Sequence, residues 1–173
     1  MDPHIWTIIA KYSQFREVVK IRSLCRRIRQ LVFHLKIPGV VIVNDTILKL
    51  YFTNLQLLYT CTPNITDEGI KHLINLQKLY AYSPKITDEG LKGLTNLQYL
   101  AVGDNPQITD EGIKYLTNLQ YLDAAYNSNI TNSGIKNLTN LQTLYAYNPN
   151  ITDEGVKHLT NLQVFNAKLI KKN

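Results

Sequence analysis

Leu97-Gln98-Tyr99-Leu100-Ala101-Val102-Gly103-Asp104-Asn105 places apolar residues at every second or third position and then stops on Gly-Asp-Asn. That is the pattern of a short half-buried strand running into a turn. Leu119 to Asn127 repeats it, with Ala124 at the third apolar place. Widening the window, Asn-Leu-Gln recurs with its Leu at 55, 76, 97, 119, 141 and 162, and Ile-Thr recurs with its Ile at 65, 86, 108, 130 and 151. Each unit is therefore 21 or 22 residues long, and a period of that length means a stacked array. The other half of a unit, Ile86-Thr87-Asp88-Glu89-Gly90-Leu91-Lys92-Gly93-Leu94, predicts a short helix. Thr87 is its N-cap, and Asp88 and Glu89 complement the positive end of the helix dipole.

The spacing L-x-x-L-x-L-x-x-N is the leucine-rich-repeat signature, in which one strand per unit stacks in parallel on its neighbours. The implied fold is α/β: a solenoid with parallel strands on the concave face and short helices on the convex face. Ile65, Ile70, Leu73, Leu76, Leu79 and their equivalents would form a continuous core that no single unit could enclose. The shorter units carry Pro63, Pro84 or Pro149 where the Asn would stand. There a tighter turn is expected, with Thr62, Ser83 or Asn148 available one residue earlier. Asp67 with Lys71, Asp88 with Lys92, Asp110 with Lys114 and Asp153 with Lys157 are each four apart, an order that supports helices modestly. The repeat domain spans 39–173, with an irregular first unit at about 39–54.

Charge separates the first part of the chain from the rest. The whole chain carries a net +6, and residues 1–50 hold nine Lys and Arg against three acids, so the remainder is neutral; every arginine precedes residue 30. Asp2-Pro3 signals a helix start, and Ile5, Ile8, Ile9 and Tyr12, then Val18, Ile21, Leu24, Cys25, Ile28, Leu31, Val32 and Leu35, predict short amphipathic helices. Pro38-Gly39 closes this small all-helical N-terminal module, residues 1–38. Helices this short must pack on a partner or on the array.

The residues from Ile5-Trp6-Thr7-Ile8-Ile9-Ala10-Lys11-Tyr12 through Phe15-Arg16-Glu17-Val18-Val19 to Leu24-Cys25-Arg26-Arg27 resemble the F-box, over residues 1–35. The resemblance implies docking on a Skp-type adaptor of a cullin-type ubiquitin ligase, with the following repeats selecting a protein substrate. By position it makes Pro3, Ile5, Ile9, Tyr12, Val18, Val19, Leu24, Cys25 and Arg26 the adaptor contacts. The alternative is a stand-alone protein-binding repeat module whose basic helices only cap the solenoid.

The outward strand positions form three columns: Leu57, Lys78, Tyr99, Tyr121, Thr143, Val164; Tyr59, Tyr80, Ala101, Asp123, Tyr145, Asn166; and Cys61, Tyr82, Gly103, Ala125, Tyr147, Lys168. Seven of the chain's 11 tyrosines fall here. Tyrosine offers large contact area and a polar tip at small entropy cost, so Tyr59, Tyr80, Tyr82, Tyr99, Tyr121, Tyr145 and Tyr147, with Asp123, are the candidate substrate-binding residues. Ala101, Gly103 and Ala125 should leave a shallow gap between the pairs 80/82 and 145/147, into which a basic knob could fit. The competing explanation is that tyrosine is simply a good strand former on a half-exposed sheet.

No nucleotide-binding, metalloprotease or nucleophile-elbow motif occurs, and the Asp-Glu pairs sit where the helix dipole accounts for them, so an enzyme, a metal site or a cofactor is not expected. Of the four histidines only His72 and His158 share a repeat position, which is a variable helix site, and Cys25 and Cys61 lack CxxC spacing. A nearly neutral tyrosine face argues against nucleic acid, despite the basic run from Lys20 to Arg29. The longest aliphatic run, Val40 to Val43, is too short to cross a membrane, and no secretory signal is visible, which predicts cytoplasm or nucleus. Phe165 to Lys168 reads as the last strand, with no full capping unit beyond it; an open edge there favours weak dimerisation.

Overall fold

A computed structural model describes residues 7–13, 16–21, 44–52, 54–60 and 63–167. Its strands are β1 (Thr7–Ser13), β2 (Arg16–Ile21), β3 (Leu57–Thr60), β4 (Lys78–Ala81), β5 (Tyr99–Ala101), β6 (Tyr121–Asp123), β7 (Thr143–Tyr145) and β8 (Val164–Asn166). Between them lie α1 (Asp45–Tyr51) and the single-turn helices α2 (Asp67–Ile70), α3 (Asp88–Leu91), α4 (Asp110–Ile113), α5 (Asn132–Ile135) and α6 (Asp153–Val156). Strands β3 to β8 are parallel and follow chain order, one per unit. Their register puts Leu58, Leu79, Leu100, Leu122, Leu144 and Phe165 in one row.

That row is the inner wall of the core, and the period explains it. Leu58, Leu79, Leu100, Leu122 and Leu144 are fully buried, as are Leu76, Leu97, Leu119 and Leu141 of the Asn-Leu-Gln turns and Ile86, Ile108 and Ile130 ahead of the helices. Each such side chain contributes about 1.5–3 kcal/mol relative to an exposed one, but only because the unit before and the unit after close over it. A lone unit would leave both flanks wet.

Polar groups between units are satisfied by two ladders. The buried Asn105 donates from Nδ2 to the carbonyls of Ala81, Ser83 and Ile86 at 2.9, 3.1 and 3.1 Å, and its Oδ1 accepts from the Gln107 amide at 3.1 Å. Asn127 repeats this one unit on, reaching the carbonyls of Asn105 and Ile108. Where proline follows, the residue one earlier does take over: Ser83 Oγ donates to Ile65 O at 3.0 Å, and Asn148 Nδ2 to Asn127 O at 3.0 Å. Thr62 lies outside the described residues. The Asn of four Asn-Leu-Gln turns supplies a second ladder, with Asn96, Asn118, Asn140 and Asn161 donating to Ile74, Thr95, Thr117 and Thr139 carbonyls of the previous unit, while Asn75 donates to Asn54 Oδ1.

The acidic helix starts behave differently from the expected pairing. Asp67, Asp88 and Asp110 do not pair with the Lys four residues on. The lysines are held by the glutamates, Lys71 to Glu68 at 2.5 Å and Lys114 to Glu111 at 2.6 Å, with Lys92 to Glu89 and Lys157 to Glu154 alike. The aspartates instead reach into the next unit. Asp88 accepts the Thr109 amide on Oδ1 at 2.8 Å and the Thr109 hydroxyl on Oδ2 at 2.7 Å. Asp45, Asp67 and Asp110 clamp Thr66, Thr87 and Thr131 in the same way. The threonine is also the N-cap of its own helix, accepting from the amide two residues on, as Thr109 does from Glu111 at 3.2 Å. One side chain thus ends one unit and starts the next. The close approach needs glycine: a Cβ on Gly112 would overlap Asp88 Oδ1. Asp45 places α1 in this series, so the first unit, expected to be irregular, joins the ladder; Leu48 and Phe52 of that unit enter the core.

The N-terminal expectation requires correction. Thr7–Ser13 and Arg16–Ile21 are strands, not helices, and form an antiparallel hairpin, with Ile8 opposite Ile21 and Ser13 opposite Arg16. β1 then pairs in parallel with β3, Thr7 to Leu57 and Ile9 to Tyr59. The stretches are rich in β-branched residues, Thr7, Ile8 and Ile9, then Val18, Val19 and Ile21, which fit a pleated sheet better than a helix. Ile9, Tyr12, Val18 and Val19 belong to these strands; Pro3, Ile5, Leu24, Cys25 and Arg26 lie outside the described residues. At the other end the last strand is Val164–Asn166, starting one residue before the expected Phe165, and Lys168 lies outside the described residues.

Candidate functional site

Parallel strands in register bring equal positions of successive units side by side, so outward tyrosines must meet. Tyr59 and Tyr80 have ring centroids 4.8 Å apart, Tyr80 and Tyr99 4.9 Å, Tyr99 and Tyr121 4.0 Å, and Tyr121 and Tyr145 5.8 Å. The Tyr99–Tyr121 pair is stacked, with 7° between the planes. Tyr82 joins at 5.7 Å from Tyr59 and 6.3 Å from Tyr80, and Tyr147 lies 6.5 Å from Tyr145. All seven predicted tyrosines therefore belong to one run of rings across β3 to β7. Each ring is half-buried, its edge or face left to solvent.

Of the small residues between the tyrosine pairs, Ala101 and Gly103 are buried and Ala125 is half-buried. Gly103 is also needed small, since a Cβ there would stand 3.0 Å from Ala125 O. One feature differs from expectation: Tyr126, which the outward columns do not contain. It stacks on Tyr147 at 5.9 Å and 22°, is 66% exposed, and has φ of +61°. Asp104 holds the equivalent place one unit earlier with φ of +62°. The longer 22-residue units accommodate their extra residue in the left-handed region, and a bulky residue there is strained. The sequence signal was the unit length itself.

Asp123 sits inside the run, between Ala101 and Tyr145 in register. Its Oδ1 accepts the Ala125 amide at 3.0 Å. The phenols around it are hard to ionise. Burial, and then the charge of Asp123, pushes Tyr82 up to about 12. Burial and the hydroxyls of Tyr80 and Tyr121 raise Tyr99, and burial also raises Tyr121. The face consequently presents neutral hydroxyl donors around one carboxylate. Among the described residues no group of three or more His, Cys, Asp or Glu could hold a metal ion. No described helix is long and apolar enough to cross a membrane.

Stacked units, an Asn/Ser ladder and a ring-lined concave sheet define a leucine-rich-repeat solenoid. A family model described as Leucine Rich repeat matches residues 93–116. Among solved structures, an internalin of Listeria monocytogenes, InlF, is 31% identical with a TM-score of 0.58, over 70% of this chain and 36% of its own. A chain of the yeast Rad7–Elc1 complex matches at 18% identity and a TM-score of 0.55, over 70% of this chain and 37% of its own. A chain of the Drosophila Toll–Spätzle complex matches at 16% identity and a TM-score of 0.53, over 70% of this chain and 18% of its own. These last two show the fold alone. The chain spans 36% of the length of that internalin and 50% of a second, internalin C2. No curated protein matches the sequence.

Proposed function

We propose that this chain is a protein-binding module whose partner lies across the tyrosine-lined concave face. The observation that carries the proposal is the unbroken run of rings from Tyr59 to Tyr147, half-exposed over five strands. A strand-propensity explanation accounts for tyrosines on the sheet but not for Tyr126, which lies outside any strand, is strained, and still extends the run. Selection of a displayed random-peptide library on the full chain, in parallel with a Tyr80→Ala/Tyr145→Ala variant, tests it. Peptides enriched by the parent and lost with the variant are expected; equal enrichment on both chains would refute the concave site.

For the N-terminal segment, the pairing of β1 with β3 supports the stand-alone module, with the hairpin covering the first unit of the array. The resemblance of residues 1–35 to the F-box supports a finer function, a substrate-recognition subunit of a cullin-type ubiquitin ligase that docks a Skp-type adaptor. The two predict different behaviour on a sizing column. Co-elution of the full chain with a purified Skp-type adaptor would favour the ligase subunit, and separate elution would favour the capped module.

A further inference from the structure

Asp123 is the one carboxylate among the outward strand positions, and it is only half used. Oδ1 is tied to the Ala125 amide, and Oδ2 has no hydrogen-bond partner among the described residues. No Lys or Arg among the described residues lies within ion-pair reach of it. Its surroundings are aromatic: Tyr121 precedes it by two residues on β6, Tyr145 faces it from β7, and its charge is felt at the Tyr82 hydroxyl. The rings of Tyr121 and Tyr145 stand 5.8 Å apart and tilted by 46°, so their faces are not stacked on each other. A negative charge beside ring faces is complementary to a flat cation, since aromatic faces are themselves electronegative and an arginine both stacks and pairs with a carboxylate. Lysine, a compact and strongly hydrated charge, would gain less from the rings.

We propose that Asp123, flanked by Tyr121 and Tyr145, receives an arginine side chain of the partner. The proposal deepens the protein-binding function above and rests on it. The guanidinium hydrogen-bonds the free Oδ2 while its plane lies against the rings, and with Ala101 and Gly103 already buried it stays at the surface. The charge selects the cation and the tyrosines supply contact area.

The test uses the full chain and a small probe, acetyl-arginine-N-methylamide, followed by amide shifts in NMR. Shifts concentrated at Ala101, Gly103, Asp123 and Ala125 are expected. The neutral citrulline analogue should give a response at least several-fold weaker, and Asp123→Asn should reduce the arginine response to that level. Because Asn can still accept the Ala125 amide, the variant should keep its fold, checked by an unchanged spectrum elsewhere. Equal responses to the two probes, an arginine response that survives Asp123→Asn, or no response at those amides would each overturn the proposal. The outcomes separate from those of the peptide selection: peptides lost with Tyr80→Ala/Tyr145→Ala yet indifferent to Asp123→Asn would leave the protein-binding face standing and remove the arginine site.

Discussion

The sixth described helix contains its own control experiment. At four junctions an aspartate clamps the next threonine, which donates its hydroxyl proton to the carboxylate and is left free to accept from its own helix. At the fifth, Asn132 stands in place of aspartate. Its Oδ1 still accepts the Thr152 amide, at 2.9 Å, but its Nδ2 donates to Thr152 Oγ1 at 2.9 Å, and Thr152 makes no side-chain cap bond. Asn132→Asp should therefore restore a charge-assisted bond and free the hydroxyl to cap α6. A cap is worth about 1 kcal/mol, and a charged acceptor roughly doubles a hydrogen bond. Thr152 is exposed, so solvent competes, and the net gain should be about 1 kcal/mol. Asp88→Asn should lose a similar amount or somewhat more, since Thr109 is better covered. Urea unfolding followed by circular dichroism measures both, with the slope m unchanged. Hydrogen exchange at the Glu154 amide should slow in Asn132→Asp. A variant no more stable than the parent, with that amide unprotected, would refute the shared-threonine account.

Gly112→Ala should destabilise by about 2–3 kcal/mol in the same assay, because the methyl group displaces Asp88 from Thr109; helix propensity alone predicts a gain of about 1 kcal/mol, so the sign decides. Asn105→Ala strips the donor from three carbonyls in the core and should cost about 3 kcal/mol, lowering the thermal midpoint by several degrees. At high pH the tyrosine face should weaken the fold: Tyr82 ionises at about 12 when folded against about 10 when unfolded, so its contribution is complete below pH about 10 and is lost as pH rises through about 12. A phenolate absorbance titration should show a late-ionising class that shrinks in Tyr82→Phe, and a single class at the ordinary value would contradict the burial.

The repeat period by itself determined the strand and helix alternation, the inward leucines and the turn ladder, including Ser83 and Asn148 as substitutes beside proline. Those are local matters: each residue's role follows from its place within one unit, and every unit repeats it. The partners of Asp88 and its equivalents are about 21 residues away, in a unit whose position is set by strand register, so sequence spacing suggested the nearer lysine instead. Likewise, columns of tyrosine were readable, but the stacking of Tyr99 on Tyr121, and the arrival of Tyr126 from a left-handed turn, depend on side chains meeting across strands. At the N-terminus, Ile8, Ile9 and Tyr12, then Val18 and Ile21, have helical spacing within each stretch, while the β-branched residues of both stretches suit strands. Only pairing of β1 with the edge of β3 chose between them, because a strand is stabilised by a neighbour that the segment does not itself contain.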